Sequence, residues 1–158
     1  MSLTRDADRL SVRLAGERDL PALVAMFAAD DLGGHGDTTA PDVAGDYLAA
    51  FRAICANPAT RLYVAELDGQ VVGTFQLVLA RALPGRGALR AILEAVQIAP
   101  DRRGGGLGAR MVQCAMAEAS AAGAATLALT SNMRRVDAHR FYEKLGFSRS
   151  HFGFKITL

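Results

Sequence analysis

The stretch that decides the fold is "APDRRGGGLGARM", residues 99–111. Three consecutive glycines, a fourth two residues on and two arginines in front make a poor start for a helix. Yet Leu107, Met111, Cys114 and Ala115 then recur at helical spacing. The preceding "LRAILEAVQIA" (89–99) reads as a strand ended by Pro100. A helix entered directly from a strand presents its first backbone N–H groups without intrahelical partners, with the positive end of the helix dipole behind them. Such a spot binds anions. Glycine lets backbone approach a phosphate with no Cβ in the way and takes angles that other residues avoid, and Arg102 and Arg103 add positive charge. The segment therefore predicts a phosphate cradle; its plainer alternative is a glycine-rich turn with arginines in solvent. Two familiar phosphate motifs do not fit. Gly104-x-Gly106-x-x-Ala109 lacks the acidic residue that a dinucleotide site needs after the next strand, which ends in "LALTSN". Gly108 is followed by Ala109 and Arg110, not by the Lys-Ser or Lys-Thr of a P-loop.

Working outward, "ATLALT" (125–130) predicts a short strand, "RRVDAHRFYEKL" (134–145) a helix closed by Gly146, and "FSRSHFGFKITL" (147–158) a last strand. Upstream, "RLYVAEL" and "QVVGTFQLVLA" flank Asp68-Gly69, a tight-hairpin dipeptide, and give two antiparallel strands. "LSVRLA" (10–15) predicts a strand, and helices are expected over 16–30 and 42–57 with a glycine-rich loop, 31–42, between them. The order is β-α-α-β-β-β-α-β-α-β. This predicts an α/β (α+β) fold in which a mixed, mostly antiparallel central sheet is flanked by helices on both faces.

The 158 residues suit a single domain spanning 1–158. No apolar run approaches the roughly 20 residues that cross a bilayer, and the N-terminus lacks the apolar core of a signal peptide, so a cytoplasmic protein without membrane contact is expected. The net charge of +2 gives no reason to expect nucleic acid. Cys55 and Cys114 lie in apolar helical patterns and read as buried free thiols, and His35 and His151 have no metal-ligand spacing, so no metal is expected.

Arg103-x-x-Gly106-x-Gly108 resembles the [QR]-x-x-G-x-[GA] signature of the GNAT superfamily of acyl-CoA-dependent N-acetyltransferases. "AHRFYEKLGF" (138–147) is similar to that family's C-terminal helix-to-strand motif, and the element order matches its fold over essentially the whole chain. The resemblance implies acetyl-CoA as co-substrate, its pyrophosphate held by the backbone of Arg103, Gly104, Gly105, Gly106, Gly108 and Ala109. It implies that the pantetheine arm pairs with backbone groups near Val96 and Ile98, in a splayed gap beside "ATLALT". Tyr142 falls on the family's tyrosine, which protonates the departing sulfur; an ordinary phenol, with a pKa of about 10, keeps its proton at neutral pH. As a residue, Tyr142 has packing as its competing role. Glu94, the carboxylate in the strand beside the acyl group, is the candidate base, acting directly or through water, with a structural acid paired to an arginine as the alternative. Asn132 is placed to help hold the cofactor, although Arg135 stands where many members carry an asparagine. His139 follows Ala138 as in a subset of relatives, and packing or capping is the competing role.

For the acceptor, a small-molecule amine, the family's variable segment between the first two helices is informative. From Asp19 to Phe51 there is no Lys or Arg, only aspartates, and Asp30 and Asp31 are the candidates for drawing in a cationic amine. Arg81, Arg86 and Arg90 near the same mouth could instead accept a carboxylate. A non-catalytic acyl-CoA-binding sensor is the alternative function. Either a monomer or a homodimer is compatible with the sequence, the aromatic C-terminal strand being able to join a partner's sheet.

Overall fold

Asp68 and Gly69 carry positive φ values of 52° and 78°, as a two-residue hairpin turn demands, and the strands they join are zipped along their length. These are β2 (Thr60–Leu67) and β3 (Gln70–Arg81), paired from Leu67 opposite Gln70 out to Thr60 opposite Val78, with a one-residue register shift between Ala65 and Glu66. In this computed structural model, which describes residues 3–32 and 35–158, the other elements build outward from that hairpin. Gly33 and Gly34 of the expected inter-helix loop lie outside the described residues. β1 (Ser11–Leu14) pairs antiparallel with β2, and β4 (Leu89–Ile98) antiparallel with β3. β5 (Thr126–Ala128) lies parallel to β4, so the sheet order is β1-β2-β3-β4-β5.

Two layers of helix cover the sheet. On one face α4 (Leu107–Ala121) drives Met111, Val112 and Ala115 onto Phe75, Leu77 and Leu93, joined by Phe141, Tyr142 and Leu145 of α5 (Val136–Lys144) and the turn after it. On the other, Leu23 and Met26 of α2 (Leu20–Ala28) pack on Val64, with α3 (Ala44–Ala56) alongside. Phe75 is wholly buried and stacks on Tyr63 at 4.7 Å, which places the largest apolar side chain at the centre of the first layer. Gly73 is required for space and not for conformation: a Cβ there would sit 2.7 Å from Ile98 and 2.8 Å from Met111.

The sealed end of the sheet is closed by charge. Arg13 of β1 donates to both oxygens of Asp19, at 2.7 and 2.8 Å, and to Glu66 of β2 at 2.6 Å, while the Gly16 N–H donates to Asp19 at 2.7 Å. The Arg13 guanidinium holds the Asp19 carboxyl below the usual range, against the opposing effect of burial, and does the same for Glu66.

Three features differ from the sequence reading. A short helix, α1 (Leu3–Arg9), precedes β1, where no element was expected. Cys55 is exposed, not buried, because it lies on the outer side of α3; Cys114 is partly buried. Residues 147–158 form no strand, and Phe152, Phe154, Ile156 and Leu158 stand in solvent. β5 is only three residues long, and the segment does not join its outer edge.

Candidate active site

β4 begins as a regular strand and ends as half of a cleft. Its ladder to β5 runs only from Arg90 opposite Thr126 to Ile92 opposite Ala128. Just beyond, Gln76 faces Glu94 but Thr74 faces Gln97, so Phe75 opposes two residues, Ala95 and Val96. This is a β-bulge, with Ala95 in the left-handed region at φ 51°. Extra twist at a bulge turns the strand away from its neighbour, and β4 and β5 part where it occurs. The Ala99 N–H donates to Val72, toward β3; by strand alternation the backbone groups of Ile98 and Val96 point the other way, into the gap. There the Ile98 carbonyl accepts a hydrogen bond from Arg103 Nε at 3.1 Å.

The gap leads to the glycines. A short turn, Pro100–Arg102, ends β4, and Gly104 and Gly106 follow with φ of 83° and 79°. Both conformations disfavour side chains, and Gly106 is the residue from which α4 starts. The first helical bond is Arg110 N–H to the Gly106 carbonyl, so the N–H groups of Leu107, Gly108 and Ala109 precede it with no helical acceptor. At Gly108 a Cβ would make ordinary contact with Phe141 at 3.5 Å and Ile98 at 3.7 Å, so the helix starts directly against the wall of the gap. Arg103 lies exposed at the rim, and Arg102 is held between Asp101 and Gln70.

α5 supplies the opposite wall. Tyr142 is partly buried between Phe141 at 5.1 Å and Phe147 at 5.6 Å, both edge-on, and its hydroxyl has no hydrogen-bond partner among the described residues. Burial pushes its pKa up, and the positive charge of Arg135 opposes that rise only in part. The phenol is therefore protonated at neutral pH. Glu94 lies exposed on β4 immediately before the bulge, on the same side of the strand as Arg90 and Ile92 and opposite the buried Ala91 and Leu93.

Asp30, at the end of α2, accepts two hydrogen bonds from Arg135 Nη2, at 2.7 and 2.5 Å, and one from Gln97 Nε2 at 2.7 Å. These contacts tie the α2 layer to β4 and to the start of α5. Asp31 is exposed beside it. Asn132 shapes the turn before α5: its side chain accepts from the Arg134 N–H and its carbonyl from the Arg135 N–H, both at 2.9 Å, and lies 2.9 Å from His139 Nε2. Arg81 is bound to the Gly87 carbonyl, and with Arg86 and Arg90 it marks the far end of β4 from the cradle.

Val96 and Ile98 thus line the gap that leads to the glycine turn, Glu94 stands at its inner end, and Phe141, the neighbour of Tyr142, lies against the Gly108 end of it. The Ala95 bulge and the Asp30–Arg135–Gln97 cluster were not found by reading the sequence. An alanine in the left-handed region leaves no residue signal, and the cluster joins positions more than sixty apart in the chain. Among the described residues no three His, Cys, Asp or Glu side chains are grouped to hold a metal, and no helix is long and apolar enough to cross a membrane.

Residues 24–147 match the acetyltransferase (GNAT) family. The chain is 36% identical over 116 residues, 72% of its length and 75% of the relative's, to the aminoalkylphosphonate N-acetyltransferase of Salmonella typhimurium. Among solved structures it resembles a chain described as a transcriptional regulator from Bacillus halodurans, with a TM-score of 0.89, 34% identity and coverage of 94% of this chain and 99% of that one. It also resembles a putative acetyltransferase from Agrobacterium tumefaciens, with a TM-score of 0.81, 29% identity and the same coverage.

Proposed function

Since the chain belongs to the acetyltransferase (GNAT) family, we propose that it moves an acetyl group from acetyl-CoA to the primary amine of a small acceptor that also carries an acidic group, an aminoalkylphosphonate or a close analogue. It is an acyltransferase with acetyl-CoA as co-substrate. The observation that carries the reading is the parting of β4 and β5 at the Ala95 bulge, in a gap that runs straight into the unpaired N–H groups at the start of α4. An extended thioester arm fits the first feature and a diphosphate the second.

In this reading the amides from Arg103 to Ala109 hold the diphosphate, Val96 and Ile98 pair with the arm, and Asn132 supports it from the turn before α5. The acceptor nitrogen attacks the thioester carbon, forming the C–N bond, and collapse of the tetrahedral intermediate breaks the C–S bond. Tyr142 gives its proton to the departing sulfur, and Glu94, through water, takes the proton that the amine must lose. The bound acceptor would cover Glu94, which the chain itself leaves exposed. Asp31 draws in the ammonium form of the acceptor, while Asp30 acts through Arg135, orienting it beside Tyr142. The acidic group of the acceptor would be met by Arg90, on the same side of β4 as Glu94 and about 13 Å along it, together with Arg81 and Arg86.

The test is a thiol-release assay with a panel of amines. The highest kcat/KM is expected for 2-aminoethylphosphonate and its homologues, above β-alanine and well above polyamines and aminoglycosides. A preference for polyamines would remove the acidic-group requirement while leaving the acyl-transfer chemistry in place. A second reading, a non-catalytic acyl-CoA sensor, is favoured by the likeness to a chain described as a transcriptional regulator. Binding of acetyl-CoA by calorimetry with no thiol released on any amine would select it.

A further inference from the structure

The gap beyond the Ala95 bulge is crossed by side chains from three separate elements. We propose that Asp30, Arg135 and Gln97 form a latch over the acyl-CoA arm, which opens to admit acetyl-CoA and shuts behind it. The inference rests on the reading that the arm lies along Val96 and Ile98.

Strand alternation sends the Val96 and Ile98 side chains to one face of β4 and Gln97 to the other. Val96 and Ile98 pack with the α4 layer, to which Phe141 and Tyr142 of α5 also belong. Gln97 reaches the opposite layer, where its Nε2 donates to Asp30 at 2.7 Å. Asp30 follows α2 and is fixed there by its own N–H, which donates to the Phe27 carbonyl at 3.1 Å. Arg135 starts from the first face. It stands at the head of α5, its carbonyl accepting from the His139 N–H at 3.1 Å and its N–H donating to the Asn132 carbonyl at 2.9 Å. Its guanidinium nevertheless ends on Asp30. It therefore passes from one layer to the other beside Gln97, where β4 has lost its pairing with β5.

Two features make this contact a latch and not a fixed brace. The guanidinium grips end-on: both bonds to Asp30 come from Nη2, and Nη1 and Nε have no hydrogen-bond partner among the described residues. Arg13 holds Asp19 differently, through Nη1 and Nη2 on separate carboxylate oxygens, and such a two-pronged pairing fixes the angle between the groups. A single nitrogen can swing about its partner. The second feature is access, for the Arg135 side chain is 27% exposed and that of Asp30 13%, so water can take over the bonds as the pair opens.

The latch lies at the middle of the proposed track, because Gln97 stands between Val96 and Ile98. On one side is the glycine turn that holds the diphosphate, on the other Glu94 and the thioester. A shut latch thus retains the arm between its two ends and keeps water from it, as closing segments do in many enzymes. Opening needs only one long side chain to swing, since the backbone at Asp30 and at Arg135 is held by its own hydrogen bonds. The charge of Arg135 also acts on Tyr142, so closure sets a cation beside the proposed acid.

Surface plasmon resonance with acetyl-CoA flowed over the immobilised protein tests the proposal. Asp30→Asn and Arg135→Gln should each raise both the association and the dissociation rate constant, by about tenfold. Asp42→Asn, an exposed carboxylate of the same acidic stretch, should leave both at the parent value. A brace that only supports the fold would speed dissociation without speeding association, and that result, or two latch variants indistinguishable from the parent, overturns the latch. Should the charge variants not fold, Gln97→Met, which keeps the ion pair and removes its third member, should still speed association by a smaller factor; an unchanged constant there is equally fatal. Hydrogen exchange separates this from the reading beneath it. Acetyl-CoA should slow exchange at the Val96 and Ile98 amides of the parent. If those amides are slowed and the rate constants do not move, the latch alone falls; if they are not slowed, the placement of the arm falls and the latch with it.

Discussion

The antiparallel pairing of β2 with β3 and the parallel pairing of β4 with β5 have opposite fates. β2 and β3 stay paired from their turn to their far ends, with the stacked Tyr63 and Phe75 and the Arg13–Asp19–Glu66 cluster beside them. β4 and β5 hold for three residue pairs and then part. The first pairing is set by a two-residue turn, so its register is local; the second joins strands separated by a loop and a 15-residue helix, and nothing local keeps it closed. The sealed half holds the stacked rings and the buried charge cluster. The open half leaves backbone groups free for a ligand.

If that division holds, substitutions in the open half should change turnover with little change in melting temperature, and those in the sealed half the reverse. The largest effect is expected at Tyr142. Tyr142→Phe keeps the edge-on packing with Phe141 and Phe147 and should lower kcat by about 10²–10⁴-fold, the usual weight of a general acid, with the KM for acetyl-CoA little changed. Turnover equal to the parent would deprive the gap of its proposed chemistry.

Next comes Gly73→Ala, which pushes a methyl into Ile98 and Met111 and should cost about 1–3 kcal/mol, read as a fall of several degrees in Tm. Because Ile98 lines the gap, a raised KM for acetyl-CoA in the same variant would blur the division, and an unchanged KM would sharpen it.

Arg13→Met removes the cation that depresses the Asp19 and Glu66 carboxyls. A carboxyl whose folded pKa is lowered contributes stability that is fully present above its unfolded value, about 4, and is lost as pH falls through the lower folded value. The parent should therefore lose stability steeply below pH about 4. The variant should be less stable at neutral pH and flatter on the acid side. Parallel denaturation curves for the two proteins between neutral and acid pH would contradict the pairing's role.

The smallest effect is expected at Gly106→Ala. A left-handed alanine costs about 1 kcal/mol or slightly more. If that strain is relieved by turning amides away from the diphosphate, the KM for acetyl-CoA should rise by about tenfold, with Tm nearly constant. A fall in Tm without a change in KM would assign the glycine to folding alone.

How far the sequence was legible follows the same line. The Asp68-Gly69 turn, the helical stripe of α4 and the glycines before it are local signals, because the conformation they demand is decided within a few residues. The GNAT resemblance rested on the same short segments, and the family match over residues 24–147 agrees with it. The bulge at Ala95 was hidden, since alanine has no preference for the left-handed region and the residue is held there by its neighbours in β3. The sequence offers Asp30 as a carboxylate that draws in a cationic amine, and gives no sign that it is bound to Arg135 and Gln97. The alternation of residues 147–158 predicts a strand that the structure does not form, because alternation states only that one face wants cover.

By itself the sequence determined the elements from β1 to α5, their order and the glycine turn before α4, because backbone angles, turn chemistry and helical spacing are properties of neighbouring residues. Only the tertiary structure decided where β4 leaves β5, which charges face one another across the gap and whether the last residues find a sheet to join. Those outcomes depend on packing between segments distant in the chain, and distance along the chain is what a local pattern cannot encode.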